Sequence, residues 1–333
     1  MSGMKKMIAL ACALVMVSCS QPPLVNMVDS MFSQDRQLPR LVSMRTLDMS
    51  SVLLSFSEEV TLQEARIDGM KAVWRMDGPS SIVVTSPSGL DISTPSDLFI
   101  RVADSSHNSS AFHIPLYGLN DRIPPLVINE LSSKGTPTQP DRIELEIRGD
   151  GNLEGICVMD GTKGNEKHSF ILPDIDVERG DYVVIWWDSV PDEEVQENDD
   201  GSTVFNLAAS SKEGLATNNG VFVVYRTPSG DDDVIDALVY TNGESTSYSG
   251  FGSARVEASY NGLTASFDWM GPAFNSRHST STRTVSRRNN RMDTDSASDF
   301  YITVTRGQTF GRMNSSAEYV PEEKTASGPG DVF

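Results

Sequence analysis

Beyond its first forty residues the chain is written in short apolar runs divided by turn residues. Between Leu41 and Leu119 these runs are LVSMRTL, SVLLSFSE, EARIDG, KAVWRMDG, SSIVVTSP, DLFIRVADSSHNSS and AFHIPLYG. Val52, Leu54 and Phe56 fall on one face of a strand, as do Leu98, Ile100 and Val102, the period-two pattern of half-buried antiparallel strands. The segment YGLNDRIPP (117–125) then breaks the rhythm, and Pro124 and Pro125 predict a stiff, extended linker. The runs resume with LVINELS, DRIELEIRG, GICVMDG, KHSFILPD, DYVVIWWDS, GVFVVYRTPSG and DDVIDALVYTNG. After them comes an irregular stretch containing FDWMGPAF, STSTRTVSRR, DSASDFYITV and RGQTFGRMNSS, and a polar tail EYVPEEKTASGPGDVF. No amphipathic pattern of helical length stands out after residue 20. The prediction is an all-β chain with two tandem sandwiches, at 40–118 and 126–314, joined by a linker at 119–125 and ending in a disordered tail at 315–333.

Composition narrows the function classes. The 333 residues suit about two domains, and 25 Gly with 17 Pro fit a strand-and-turn chain. With 46 acidic against 27 basic residues the net charge is −19, and the acid excess is spread through loops such as PDEEVQENDDG (191–201), SGDDDVID (229–236) and MDTDSASD (292–299). Nucleic-acid binding needs clustered Lys and Arg, and the one basic run, RTVSRRNNR (283–291), lies between acidic stretches, so no nucleic-acid partner is expected.

The N-terminus carries a targeting pattern. MSGMKK is a basic start and MIALACALVMVS an apolar run too short for a membrane span, which needs about 20 apolar residues. Residues 1–18 therefore read as a cleaved signal peptide. Ser18 followed by Cys19 resembles the lipobox of bacterial lipoproteins, although Met16 stands where that pattern prefers Leu. The resemblance implies lipid (palmitate-type) attachment at Cys19, a tether over 19–39, and a membrane-anchored place in the bacterial cell envelope. Plain cleavage with an incidental Cys19 is the alternative. Cys12 leaves with the signal, so Cys157 is the remaining thiol and no disulfide framework is expected. Its apolar surroundings predict a buried, inert side chain.

The acidic and aromatic residues supply the candidates for chemistry. Asn129 and Glu130, with Glu144 and Glu146 in the next run, superficially resemble the Asn and metal-binding Glu of endonuclease/exonuclease/phosphatase enzymes. That class also needs a late His beside an acid, and of His107, His113, His168 and His278 only the last sits in a comparable place, with Arg277 where the acid belongs. Alternation in DRIELEIR puts Arg142, Glu144, Glu146 and Arg148 together on the face opposite Ile143, Leu145 and Ile147, which predicts a solvated charge ladder. Asp293, Asp295 and Asp299 form a weak calcium candidate, against the simpler reading of a solvated acidic turn. Trp186 and Trp187 must point to opposite faces, and Trp186, Trp187, Trp269 and Tyr248 are candidates for stacking on sugars. The competing reading covers both tryptophans with the long C-terminal portion.

Residues 40–118 resemble a bacterial Ig-like domain, through VLLSFSEEV and the aspartate turn IRVADSSHNSS. Residues 126–314 resemble a lamin-tail domain, an Ig-like module. LVINELSSKG matches its opening I-N-E strand, DRIELEIRGDGNLEGICVMDG its D-x-I-E-L run, and GVFVVYRTPSGDDDVIDALVY a later hairpin. STRTVSRR, DTDSASDFYITV and RGQTFGRMN follow its closing Ser-x-x-Arg, Asp-x-x-x-Asp-Phe and Thr-Pro-Gly-x-x-Asn elements. Ile147-Arg148, Ile156-Cys157 and Thr309-Phe310-Gly311 depart from the pattern, and the acidic 191–201 segment is an insertion. The resemblance implies a non-enzymatic binding or structural module without cofactor, with Asn129 and Glu130 as strand-end structure and Glu130 paired with an Arg. The partner would be an envelope protein or carbohydrate. An envelope-associated metal-dependent nuclease or phosphatase, or a carbohydrate-binding surface protein, is the alternative.

Overall fold

The computed structural model describes residues 36–211, 213–229, 234–289 and 293–322. The expected signal peptide, Cys19 and most of the tether lie outside the described residues, as does the tail beyond Glu322. The protein is all-β, with strand over 41% of the described residues and helix over 7%.

Eight strands come first: β1 (Leu41–Thr46), β2 (Ser51–Phe56), β3 (Thr61–Ile67), β4 (Met70–Lys71), β5 (Val73–Met76), β6 (Ser81–Thr85), β7 (Ser96–Ala103) and β8 (Ser109–Leu116). They form two four-stranded antiparallel sheets, ordered β1-β2-β6-β5 and β4-β3-β7-β8. Val52, Leu54 and Phe56 from one sheet meet Leu98, Ile100 and Val102 from the other in a single core, as their alternation requires.

The second set runs β9 (Leu126–Ser132), β10 (Arg142–Ile147), β11 (Gly151–Asn152), β12 (Cys157–Asp160), β13 (Ser169–Ile171), β14 (Asp176–Val177) and β15 (Tyr182–Trp186). It continues with β16 (Val195–Glu197), β17 (Thr203–Ala208), β18 (Asn219–Tyr225), β19 (Val234–Thr241), β20 (Phe274–Asn275), β21 (Val285–Arg287) and β22 (Phe300–Ile302). A seven-stranded sheet, β16-β17-β15-β10-β9-β21-β22, stands against a five-stranded one, β13-β12-β18-β19-β20, and β11 pairs with β14. Ile143, Leu145 and Ile147 from the first sheet and Phe222, Val224 and Leu238 from the second belong to the core between them.

Four expectations need correction. A helix, α1 (Ala254–Ser266), packs beside β18. It buries only Val256, Ser259 and Leu263, one of them polar, so it carries almost no apolar stripe for periodicity to reveal. The acidic insertion is not a loose loop, because β16 within it pairs antiparallel with β17 and caps the sheet with a charged edge. The linker is docked: Asn120 Nδ2 donates to the Asn152 and Glu154 carbonyls at 3.0 Å each, and Arg122 pairs with Asp176 at 2.9 Å. Finally, part of the expected tail is tied down, with Tyr319 N–H donating to the Ile302 carbonyl and Glu318 paired with Arg288.

Direct contacts join the two sandwiches. Thr46 Oγ1 meets Ser229 Oγ at 2.9 Å, and Ser93 Oγ donates to Glu154 Oε1 at 2.7 Å. Gly155 has φ +80°, and a Cβ there would overlap Ile92 of the first sandwich, so glycine is required by both conformation and space.

Candidate functional site

The paired glutamates are not on a wet face. Glu130 and Glu144 are both fully buried, because residues 303–318 cross the outer face of the seven-stranded sheet as an irregular strap. The placement begins with a β-bulge. Glu144 pairs with Glu130 and Leu145 with Ile128, leaving Asn129 as the extra residue on β9. The bulge shifts the alternation by one, so Ile128 and Leu131 both reach the core while Asn129 and Glu130 share the outer face.

The strap's unpaired backbone then meets these acceptors. Thr309 N–H donates to Glu130 Oε2 at 2.9 Å and Gly311 N–H donates to Glu144 Oε2. Asn129 Nδ2 donates to Glu144 Oε1 at 2.7 Å, and Asn314 Nδ2 donates to Asn129 Oδ1 and the Arg287 carbonyl at 2.8 Å each. Burial pushes both glutamates above the ordinary carboxylate range, Glu144 well above it with Glu130 adding repulsion. The proton count agrees. Thr309 Oγ1 lies 3.0 Å from Glu130 Oε2 and 2.9 Å from Asn314 Oδ1 but has one proton, so a protonated Glu130 completes both contacts. Glu130 thus pairs with hydroxyls and an amide N–H rather than with an Arg, and Asn129 acts mid-strand rather than at a strand end. Only Glu146 keeps the expected arrangement, half-exposed and 3.2 Å from Arg148.

The calcium candidates regroup around a buried arginine. Among the described residues, Asp236, Asp293 and Asp295 bring oxygens within 4.8 Å of one another. Asp299 is buried in the capping box of residues 296–299, with Oδ2 3.8 Å from the Arg287 guanidinium. The cation holding this set is Arg287, 2.5 Å from Asp236 and 2.9 Å from Asp293, so it is not the solvated turn expected. Burial pushes Asp236 up to about 7 against the pull of Arg287.

The aromatic candidates separate. Trp187 and Trp269 are each 1% exposed and belong to the core, which removes them as stacking surfaces. Tyr248 stays half exposed. Trp186 is half-buried and lines a groove of about 490 Å³ with Arg142, Ser189, Asp192, Gln308 and Phe310. Arg142 and Trp186 are cross-strand partners on β10 and β15, and the Arg142 guanidinium lies over the Trp186 ring at 4.7 Å and the Phe310 ring at 4.1 Å. Trp186 Nε1 is fixed by Asn206 Oδ1 at 2.9 Å. The Arg142 side chain has neither hydrogen bond nor ion pair among the described residues, and its Nε, Ser189 Oγ and Gln308 Oε1 are buried without partners. Buried polar atoms are nearly always paired, so three orphans in one groove wall leave hydrogen-bonding capacity for a ligand or ordered water to meet. The other three such atoms, Asp160 Oδ2, His168 Nδ1 and Trp187 Nε1, neighbour one another in the interior.

Sequence reasoning found Trp186 and missed Arg142, Ser189, Gln308 and Phe310. The available signals were Arg142 opening the RIELEIR run and Phe310 standing where the lamin-tail pattern has proline.

Residues 124–302 match the family TP_1001_2nd, described as a protein second domain, over just more than half of the chain. The chain belongs to this family. No curated protein matches it. The family match takes in the sheets of the second sandwich and Arg142, Trp186 and Ser189, and it ends at Ile302, so the strap and its groove residues Gln308 and Phe310 lie beyond it.

Proposed function

We propose that this protein is a non-enzymatic binding module of the bacterial cell envelope, lipid-anchored through Cys19. It presents its ligand site on a second sandwich that resembles a lamin-tail domain. One observation carries the binding role: the groove beside Trp186, where Arg142 Nε, Ser189 Oγ and Gln308 Oε1 lack partners among the described residues. The carboxylates nearest a nuclease pattern, Glu130 and Glu144, are instead occupied by the strap's own N–H groups.

The anchor rests on the basic start, the short apolar run and Ser18-Cys19. No helix among the described residues is long and apolar enough to cross a membrane. Several acyl chains on one cysteine would hold the protein firmly, where a single chain binds only marginally. The test is intact mass and detergent partitioning of the protein from a bacterial host beside Cys19→Ala. A lipid-sized mass gain and detergent-phase recovery, both lost in the variant, are expected; an unmodified chain in the aqueous phase refutes the anchor.

A further inference from the structure

The chemistry of the groove specifies its ligand more closely, on the premise that the protein is a binding module. Arg142 offers only donors, in a planar fork suited to a carboxylate. No carboxylate among the described residues takes up that fork, and the Trp186 and Phe310 rings hold the guanidinium flat. The rest of the lining asks for the opposite. Gln308 Nε2 is spent on Gln139 Oε1 at 2.6 Å, which leaves Gln308 Oε1, buried in the groove wall, as an unmet acceptor. Asp192 adds acceptor oxygens, and Ser189 Oγ takes either role. A ligand that satisfies this set carries one carboxylate and several hydroxyl donors. A volume of about 490 Å³ is in the range of small-molecule sites. The net charge of −19 repels polyanions, so a single acidic unit or chain end is favoured over a long acidic polymer.

We propose that the groove binds a hexuronate sugar unit, with Arg142 holding its carboxylate and Ser189, Asp192 and Gln308 receiving its ring hydroxyls. Arg142 is a binding residue here, and Trp186 and Phe310 position it.

The test is isothermal titration of the full chain in detergent with D-glucuronate and D-galacturonate. D-glucose and D-galactose keep the ring and lose the carboxylate, acetate keeps the carboxylate and loses the ring, and an Ala-Ala dipeptide supplies a peptide carboxylate. The expected result is uronate binding at least about tenfold tighter than any control, the scale of one charged hydrogen-bonded contact. Arg142→Gln should abolish the preference for uronate over neutral sugar. Ser189→Ala, which leaves the arginine in place, should weaken uronate about threefold or more, roughly the loss of one neutral hydrogen bond. Equal binding of acetate, of the dipeptide or of the neutral sugars overturns the uronate proposal and leaves the groove as a binding site of another class. No heat with any of the six ligands overturns it as well, and counts against the groove as the site of a binding module.

Discussion

Asn314 offers the sharpest test of the strap. Its side chain is buried; the Nδ2 end of the amide joins the strap to the sheet, and the Oδ1 end braces the strap on itself. Nδ2 donates to Asn129 Oδ1 and the Arg287 carbonyl at 2.8 Å each, and Oδ1 accepts from Thr309 Oγ1 at 2.9 Å. Asn314→Ala removes three good hydrogen bonds, each worth a net ~1 kcal/mol, so the loss should be about 3 kcal/mol. For a unit of this size that corresponds to roughly 6–12 °C in Tm if the second sandwich melts as its own transition. Urea titration would give the stability change, and hydrogen exchange at the Thr309 and Gly311 amides would show whether the strap opens first. Asn314→Asp separates donor loss from charge. It keeps the acceptor but sets a third carboxylate beside two buried ones, so it should be worse than Asn314→Ala at pH 7 and recover on acidification. A loss below about 1 kcal/mol in Asn314→Ala, less than a single lost contact should cost if none is replaced, would refute the view that these bonds hold the strap.

Stability should fall as pH rises from mildly acidic to neutral. Burial raises the pKa of Glu130, Glu144, Asp141, Asp160 and Asp236, so the folded state keeps protons that the unfolded chain releases near pH 4. That stability is complete below the unfolded values and is lost as pH rises through the folded ones, up to about 7 for Asp236; a Tm higher at pH 8 than at pH 5 would contradict it. Gly155→Ala should cost about 1–2 kcal/mol from its left-handed conformation alone, with more from the clash against Ile92, and a melt unchanged within error would show that the sandwiches do not meet there. Cys157, whose thiol burial pushes up to about 12, should resist thiol reagents until the chain unfolds, so labelling of the folded protein at the rate of a free thiol would place it at the surface.

Much of the fold was readable from alternation, because a strand with one wet face prints its burial directly into the sequence. Val52-Leu54-Phe56, Leu98-Ile100-Val102 and Ile143-Leu145-Ile147 all point inward as expected. Helix α1 was not readable, since its three buried positions include Ser259. The groove was half readable. Opposite facing of Trp186 and Trp187 follows from strand geometry, but which one stays half open depends on Phe310, 124 residues further along the chain.

The buried glutamates show where alternation stops being informative. The pattern in DRIELEIR sorts residues onto two faces correctly, but it cannot say that the second face is also covered. Here the cover is a strap whose ends bridge each other at Thr303 and Glu318, while its middle has no strand partner and the Thr309 and Gly311 N–H groups would otherwise lie buried and unpaired. An apolar residue at 130 or 144 would leave Thr309 or Gly311 unsatisfied, whereas a carboxyl supplies the acceptor. Acidic side chains are therefore the ones a buried strap demands, and the bulge at Asn129 is what turns two successive polar residues of β9 towards it. The same strap brings Gln308 and Phe310 to Arg142. Loosening it through Asn314 should therefore weaken ligand capture in the groove along with stability, and the two losses should appear at the same urea concentration.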